Sequence, residues 1–206
     1  NRRFTRGLQM NASYTLARAT DTNQNSATFT QNNSPYDAFD RSYDEGPSNF
    51  DVRHKLVFNA VWAPQFYKGP KTSFYNYILN GWSVAPIYVF YSGRPYDGNV
   101  SGTSLNGSNG DNRFPLNPRN FYRLPAMWNL DLRLSKRFKF NETMALEFLG
   151  EAFNIVNRTH VFGVNTTLYT RSGTVLNYNT HFGAVTSTDS TLYRERQIQF
   201  SARFQF

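Results

Sequence analysis

Apolar and polar residues alternate along six segments of the chain. These segments are 8–16, 51–62, 81–90, 128–138, 144–152 and 196–206. The clearest is WNLDLRLS (128–135), in which every second residue is apolar. A period of two places successive side chains on opposite faces of a β-strand, so the pattern predicts six strands. No comparable apolar stripe recurs every 3.6 residues, and we therefore predict no helix.

The connections between these segments alternate between long and short. The long ones are 19–50, 93–125 and 157–191, and the shorter ones are 64–77 and 139–142. In an up-and-down antiparallel sheet, every other connection lies at the same end. Long loops at one end and short links at the other are typical of outer-membrane barrels. Segment 99–112 is rich in Asn, Ser and Gly, and we expect it to be mobile and solvated.

An alternating strand fits either a soluble β-sandwich, with its apolar face inward, or a membrane barrel, with its apolar face toward lipid. Several segments reach the roughly 9–11 residues that a tilted strand needs to cross a bilayer. Aromatic residues also gather at strand ends, as interfacial girdles require. Those at the short-link end are Trp62, Phe66, Trp82, Phe138, Phe140 and Phe206, and those toward the long loops are Tyr14, Phe90, Tyr91 and Trp128. The sequence thus favours an all-β, antiparallel up-and-down transmembrane β-barrel.

The polar face of the predicted strands carries charge that a water-filled lumen would solvate. The candidates for lumen-facing residues are Arg53, Lys55, Asp131, Arg133, Arg137, Glu147, Glu151, Gln197, Gln199 and Arg203. The fourth and fifth strands are joined through KFNET (139–143) and should form a hairpin. Even register would place Glu147 opposite Arg133 or Ser135, which predicts a cross-strand Arg–Glu ladder. The alternative is an ordinary scatter of charges in a wet interior.

Six strands are too few for a closed barrel, which needs about eight. Open edges are not tolerated in lipid, so we expect further strands upstream. Residues 1–206 start without Met and without a signal peptide, and we expect them to be the C-terminal portion of a barrel domain.

Little in the composition indicates catalysis, and we predict no enzyme activity and no cofactor. The chain has no cysteine, and its net charge of +8 is scattered without a motif that reads nucleic acid. Neither GxSxG nor a P-loop is present. Asp131, Glu147 and Glu151 fit lumen solvation better than a glycosidase pair.

We also predict no metal site. The three histidines, His54, His160 and His181, have no ligand neighbour at metal spacing, and we place His54 near the periplasmic end of its strand. Segments 97–99 and 109–111 look like pieces of a calcium loop but lack its spaced carboxylates, so we interpret them as turns.

Several segments resemble the C-terminal barrel strands of TonB-dependent outer-membrane receptors, in particular an Oar-like branch that bears a carboxypeptidase regulatory domain. They are DVRHKLVFNAVW (51–62), GWSVAPIYVFYSGRPY (81–96), WNLDLRLSKRF (128–138), LEFLGEAFNIVNRTHVFG (146–163) and RQIQFSARFQF (196–206). The resemblance implies a barrel of about 22 strands. It also implies an N-terminal plug, energy from TonB and a ligand bound outside the cell. Leu149 departs from the pattern, where a polar residue is expected, and 117–125 matches loosely.

The resemblance further implies that the barrel-assembly machinery recognises the last strand through Phe200, Phe204 and Phe206. Alternatively, Phe206 is a girdle residue. Aromatics of the long loops either contact the ligand or pack loop against loop; they are Tyr36, Phe39, Tyr43, Phe121, Tyr122, Tyr169 and Tyr178. The alternative functions are a non-transporting β-sandwich binding module or adhesin, and an open porin-like channel.

Overall fold

The structure is a computed structural model that describes residues 2–5, 7–22, 35–37, 39–70, 73–102, 112–188 and 194–206. Among these residues, no helix has the length and apolar character needed to cross a membrane. The strands are β1 (Arg2–Thr5), β2 (Leu8–Leu16), β3 (Thr20–Asp21), β4 (Gly46–Pro47), β5 (His54–Trp62), β6 (Trp82–Tyr91), β7 (Pro95–Tyr96), β8 (Asn99–Ser101), β9 (Tyr122–Arg123), β10 (Met127–Lys139), β11 (Ala145–Phe153), β12 (Val161–Val164), β13 (Thr167–Ser172), β14 (Val175–Tyr178), β15 (Val185–Thr188) and β16 (Gln197–Gln205). A 3-10 helix spans Arg41–Asp44, and one α-helix, α1, spans Phe74–Leu79.

Seven strands form the main sheet, in the order β1-β2-β5-β6-β10-β11-β16, and every pairing in it is antiparallel. Six of them are the predicted strands, with bounds within three residues of the prediction. The seventh, β1, was not predicted, because its four residues are too short to show a period. The prediction of an up-and-down, all-β architecture is therefore confirmed.

The registers of the main sheet keep one face apolar. Residues of even number pair with residues of even number from β2 through to β16. One such row runs across four strands through Tyr14, Leu56, Phe90 and Trp128. We call the two sides of the sheet the even face and the odd face. Because side chains alternate along each strand, most apolar residues of the six predicted strands lie on the even face, while Val57, Ile87 and Leu149 lie on the odd face.

The two ends of the sheet carry the aromatic residues predicted for them. Trp62 and Trp82 lie at the short-link end, while the row from Tyr14 to Trp128 lies toward the long loops. His54, however, pairs with Leu16 at the long-loop end, so the prediction that placed it near the periplasmic end was wrong. His54 is the first residue of β5, and the first long connection leads directly into this strand.

The predicted position of Glu147 in the β10–β11 hairpin was also wrong. Glu147 lies opposite Arg137, and Arg133 lies opposite Glu151. β10 continues to Lys139, which pairs with Ala145, so the turn comprises residues 140–144. The Asn141 side chain holds this turn by accepting hydrogen bonds from Thr143 N at 3.0 Å and Met144 N at 2.5 Å. This Asx turn moves the register by one pair without exchanging the faces.

The prediction of no helix fails at α1, in the short link between β5 and β6. Six residues are fewer than two helical turns, so no stripe with a 3.6-residue period can develop in them. The link is closed by Asn80, which donates to Tyr67 O at 2.7 Å and accepts from Tyr67 N at 3.0 Å. Gly81 then adopts φ 81°, and a Cβ there would lie 2.3 Å from the carbonyl oxygen of Arg137. Glycine therefore lets the helix turn directly into β6.

The long connections fold into small sheets of their own. β8 pairs in parallel with β13, β13 pairs with β14, β12 pairs with β15, β3 pairs with β4, and β7 pairs with β9. Val100 in β8 has none of its surface exposed. The expectation of a solvated segment at 99–112 was therefore wrong at Val100, while Gly102 is exposed and residues 103–111 lie outside the described part of the chain.

Candidate functional site

The odd face of the main sheet brings together nearly all of the polar candidates. Lys55, Asp131, Arg133, Arg137, Glu147, Glu151, Gln197, Gln199 and Arg203 all lie in its strands at odd positions. Arg53 precedes β5 and lies 3.7 Å from a carboxylate oxygen of Asp51. Leu149 shares this face, opposite Ser135 and Ser201, so an apolar side chain interrupts the polar rows.

Two rows of charged and amide side chains cross the last three strands of this face. In one row, Glu151 accepts from Arg133 Nε at 2.6 Å and from Gln199 Nε2 at 2.5 Å. In the other, Arg203 donates to Glu147, and Arg137 donates to Gln205 at 2.5 Å. An Arg–Glu ladder therefore exists, with partners different from those predicted. Because the arginine side chains are exposed, these pairs contribute little to stability.

Asp131 of β10 holds the third long connection to the main sheet. Its Oδ1 accepts from the backbone N of Asn154 at 2.8 Å and from Asn129 Nδ2 at 2.7 Å. Asn154 is 3% exposed and has φ 49°. Its amide nitrogen donates to the carbonyls of Arg158 and Arg194, and its oxygen accepts from the amide of Arg158. One buried asparagine thus joins both ends of this connection to the sheet.

A buried arginine joins the first and second long connections. Arg113 donates to Asp44 Oδ1 at 3.0 Å and to the carbonyl of Tyr43 at 2.7 Å. Its guanidinium carbon lies 5.3 Å from the centre of the Tyr36 ring. Arg113 and Asp44 are both buried, so each compensates the other's desolvation.

A second junction between these connections is built on Arg119 and Asn120. Arg119 is 2% exposed and donates to the carboxylate and the carbonyl of Asp21, and its burial lowers its pKa. Asn120, with φ 55°, donates to Pro47 O at 2.7 Å and Asn49 Oδ1 at 2.6 Å. These residues belong to the NPRNFYRLP segment (117–125). The only sign in the sequence that they form a junction was the presence of Asn and Arg within a loop.

Asp51 ties the base of the same two connections together. It accepts from the backbone N of Ala19 at 2.8 Å and from Arg123. Burial raises the pKa of Asp51, but the Ala19 hydrogen bond and the nearby Arg123 and Arg53 more than offset this, so the pKa lies below its usual 3.8. The carboxylate therefore stays charged at neutral pH.

We call the described residues of the three long connections the loop layer. Its aromatic candidates fall into groups. Tyr122 stacks on Tyr96 with ring centres 5.6 Å apart and meets Phe182 at 4.7 Å. Tyr169 packs on Phe114 at 4.9 Å and faces Tyr178 at 5.8 Å.

The remaining candidates of the loop layer are more exposed. Tyr36 lies 6.0 Å from Tyr43, ring centre to ring centre. Phe39, Tyr43, Phe121 and Tyr178 are exposed, whereas Tyr36, Tyr122 and Tyr169 are half-buried. The half-buried rings support loop packing, and the exposed ones are available to a ligand.

The histidines have neighbours other than metal ligands. His54 Nδ1 lies 2.8 Å from the Tyr14 hydroxyl, and the buried His160 has Nε2 2.9 Å from the carbonyl oxygen of Trp128. Within the described residues, no three His, Cys, Asp or Glu side chains come together in a way that could hold a metal ion. Asp97, one of the calcium-loop candidates, accepts a hydrogen bond from the backbone of Asn120.

Comparison with known families decides what kind of sheet this is. Residues 1–118 and 113–199 match the family described as "Outer membrane beta barrel domain". The chain belongs to this family. It is thus an outer-membrane protein, and its main sheet is part of a barrel. Comparisons with curated proteins and with solved structures found no match.

The outer-membrane barrel has an apolar face of the height that such a membrane requires. In the six strands from β2 to β16, the even face carries two basic residues, His54 and Lys136. His54 lies opposite Ser92, which directly follows β6, and Lys136 lies opposite Trp82, the first residue of β6. Trp82 and Ser92 are ten residues apart. At about 3.3 Å per residue and a tilt of about 40°, this separation corresponds to about 25 Å across the membrane. The separation of the two basic residues thus equals the typical height of the apolar band of an outer-membrane barrel.

Proposed function

We propose that the chain is the C-terminal portion of the barrel of a TonB-dependent receptor, which binds a ligand at its external loops and passes it through a plugged lumen. In this proposal the even face contacts lipid and the odd face, with its Arg–Glu rows, lines the lumen. The plug, the segment that contacts TonB and the remaining strands of a barrel of about 22 belong to the protein outside residues 1–206. The receptor acts by binding and transit rather than by covalent chemistry.

The observation that carries the proposal is the construction of the loop layer. Three Asp–Arg contacts tie its first and second connections together: Asp21 with Arg119, Asp44 with Arg113, and Asp51 with Arg123. The parallel pairing of β8 with β13 then joins the second connection to the third. Loops held rigid on a barrel form a preorganised recognition surface, whereas passive diffusion through a porin requires none.

The exposed rings supply the recognition chemistry of this surface. Phe39, Tyr43, Phe121 and Tyr178 offer flat apolar area around backbone and hydroxyl groups. Aromatic anchors of this kind dominate binding energy at interfaces. The candidate ligand classes are iron chelates, oligosaccharides and peptides.

The sandwich alternative is disfavoured by the even face. In the described residues, no second sheet covers it, and Phe200 and Phe204 are 84% and 49% exposed. A soluble sandwich would bury such residues. We further propose that β16, one of the two outer strands of the main sheet, offers its edge, with Phe200, Phe204 and Phe206, to the barrel-assembly machinery.

Two measurements on the full-length protein test the receptor proposal. In planar bilayers, a plugged receptor should give no steady porin-sized conductance, and it should retain the purified C-terminal domain of TonB in a pull-down. A variant lacking the segment upstream of the barrel is the control, and it should conduct and lose TonB. Steady conductance of the full-length protein without retention of TonB would establish the open channel instead.

A further inference from the structure

The short link between β5 and β6 carries an unusual density of exposed apolar side chains. α1 reads FYNYIL, and none of its residues is buried. Phe74 is 72% exposed, and Tyr75, Ile78 and Leu79 are exposed as well. A helix that is apolar on nearly every side is unfavourable in water, so its surface is expected to be covered by an apolar partner.

Contacts to the main sheet show which side of it the helix occupies. Trp82 Nε1 donates to the carbonyl of Ile78 at 2.9 Å. Lys136 Nζ donates to the same carbonyl at 2.8 Å and to the carbonyl of Asn80. Trp82 and Lys136 are both residues of the even face. The C-terminal end of α1 therefore lies against the even face.

Lys136 would be costly on this face without the helix. It is a charged residue among apolar ones, and it is buried. Its ammonium lies 4.8 Å from the centre of the Trp82 ring and 5.2 Å from that of Phe138. Two carbonyl oxygens and two aromatic rings thus replace its water. The lysine is explained if its role is to fasten α1 to the outside of the barrel.

The position of α1 also matches the height of a membrane boundary. Trp62 and Phe66 pack edge to face with ring centres 6.1 Å apart, and Tyr67 and Tyr75 lie 6.2 Å apart in the same link. Through its contact with Trp62, the last residue of β5, the Phe66 ring extends the aromatic row at the short-link end of the even face. In outer-membrane barrels, short turns are periplasmic, and aromatic girdles lie at the headgroup level.

We propose that α1 is an interfacial anchor, lying in the headgroup region of the phospholipid leaflet that faces the periplasm and fastened there by Lys136. The occupant of its exposed face is the bilayer, because that face is continuous with the apolar band of the barrel. This role is independent of ligand transport, so the receptor proposal can fail while the anchor stands. It requires only the outer-membrane barrel.

The test places a fluorophore on α1 and measures its depth in a membrane. Residues 1–206 contain no cysteine, so Phe74→Cys in a cysteine-free full-length protein can carry one environment-sensitive label. The matched control is Glu142→Cys in the other short link, an exposed position in the turn 140–144. Both are reconstituted into vesicles of phosphatidylethanolamine and phosphatidylglycerol, with a spin label on the headgroup or deep in the acyl chain.

We expect headgroup spin labels to quench the Phe74→Cys label at least twofold more than the Glu142→Cys label, with blue-shifted emission. Water-like emission from both positions would overturn the proposal. Blue-shifted emission without quenching by lipid would also overturn it, since protein rather than lipid would then cover the helix.

A second variant tests the fastening. Lys136→Met keeps length and apolar character but removes the donor, and it should lower the quenching of the Phe74→Cys label at least twofold. Lys139→Met, at the exposed end of β10, is the control and should leave quenching unchanged. Unchanged quenching in Lys136→Met would refute the role of the lysine. Folding of every variant is checked by its heat-modifiable migration on gels.

Discussion

The buried side chain of Asn154 offers the sharpest test of how the loop layer is held to the barrel. It makes three hydrogen bonds, at 2.8 and 2.9 Å as donor to the carbonyls of Arg158 and Arg194, and at 2.9 Å as acceptor from the amide of Arg158. Its φ of 49° suits Asn or Gly. Asn154→Gly therefore removes the three bonds without straining the backbone.

The expected cost follows from these bonds. At about 1 kcal/mol for each hydrogen bond, Asn154→Gly should lower the local free energy of opening by about 3 kcal/mol. This corresponds to an increase of about a hundredfold in the opening constant. Asn154→Ala should cost about 1 kcal/mol more, because a Cβ strains the left-handed conformation.

Native-state hydrogen exchange of the full-length protein measures this opening. The reporter is the amide of Ile155, which donates to the carbonyl of Leu130 at 2.9 Å rather than to the altered side chain, with its exchange corrected for the change in intrinsic rate. The matched control is Asn157→Gly, which also has a positive φ, of 52°, but is exposed and accepts one bond, from the amide of Arg196. It should accelerate exchange only about fivefold. Exchange in Asn154→Gly within threefold of the parent protein would refute the reasoning.

Three further predictions concern other junctions of the molecule. Because the pKa of Asp51 is depressed in the folded protein, its carboxylate stabilises the fold above the unfolded pKa of about 3.8, and this contribution is lost as pH falls through the lower folded pKa. Hydrogen exchange of the loop layer, corrected for intrinsic rates, should therefore show protection at pH 5 that fades only below about pH 3.8. Asp51→Asn should lack this protection at both pH values. Arg113→Met removes the cation beside the buried carboxylate of Asp44, which keeps its hydrogen bonds from the backbone N of Tyr36, and should lower the free energy of unfolding in urea by about 3–5 kcal/mol; a loss below about 1 kcal/mol would refute the importance of the ion pair. Phe206→Ala should reduce the folded fraction in the outer membrane severalfold, as measured by heat-modifiable migration on gels. The control is Phe66→Ala, which removes another exposed ring at the short-link end. An equal loss in Phe66→Ala would favour a girdle role for Phe206 over a role in assembly.

Much of the main sheet could be predicted from the sequence because its information is local. The alternation in WNLDLRLS states which side chains share a face, whatever the partner strand is, and the structure confirms that face across six strands. The predicted partner of Glu147 was Arg133 or Ser135, which differ from the observed Arg137 by two pairs and one pair, since register depends on how Asn141 closes the turn. A period of two fixes which face each residue occupies, but it allows the strand register to shift by any even number of residues.

The loop layer was beyond prediction because its contacts join distant parts of the chain. Arg119 and Asp21 are 98 residues apart, and Arg113 and Asp44 are 69 apart. Each residue in isolation looks like an ordinary polar loop residue. Their burial exists only when three connections meet at one end of the sheet.

The sequence by itself therefore determined the strands, their two faces and the apolar character of the even face, because these depend on spacing along a single strand. Tertiary structure decided the register of the hairpin, the helix α1 and the buried network of the loop layer. Lys136 shows the difference most clearly: in the sequence it is an exception in an apolar row, and its burial becomes favourable only where the carbonyl groups of Ile78 and Asn80 fold back onto it. This compensation of the lysine's lost hydration depends on groups that the fold brings together in space, and the spacing of residues along one strand does not predict them.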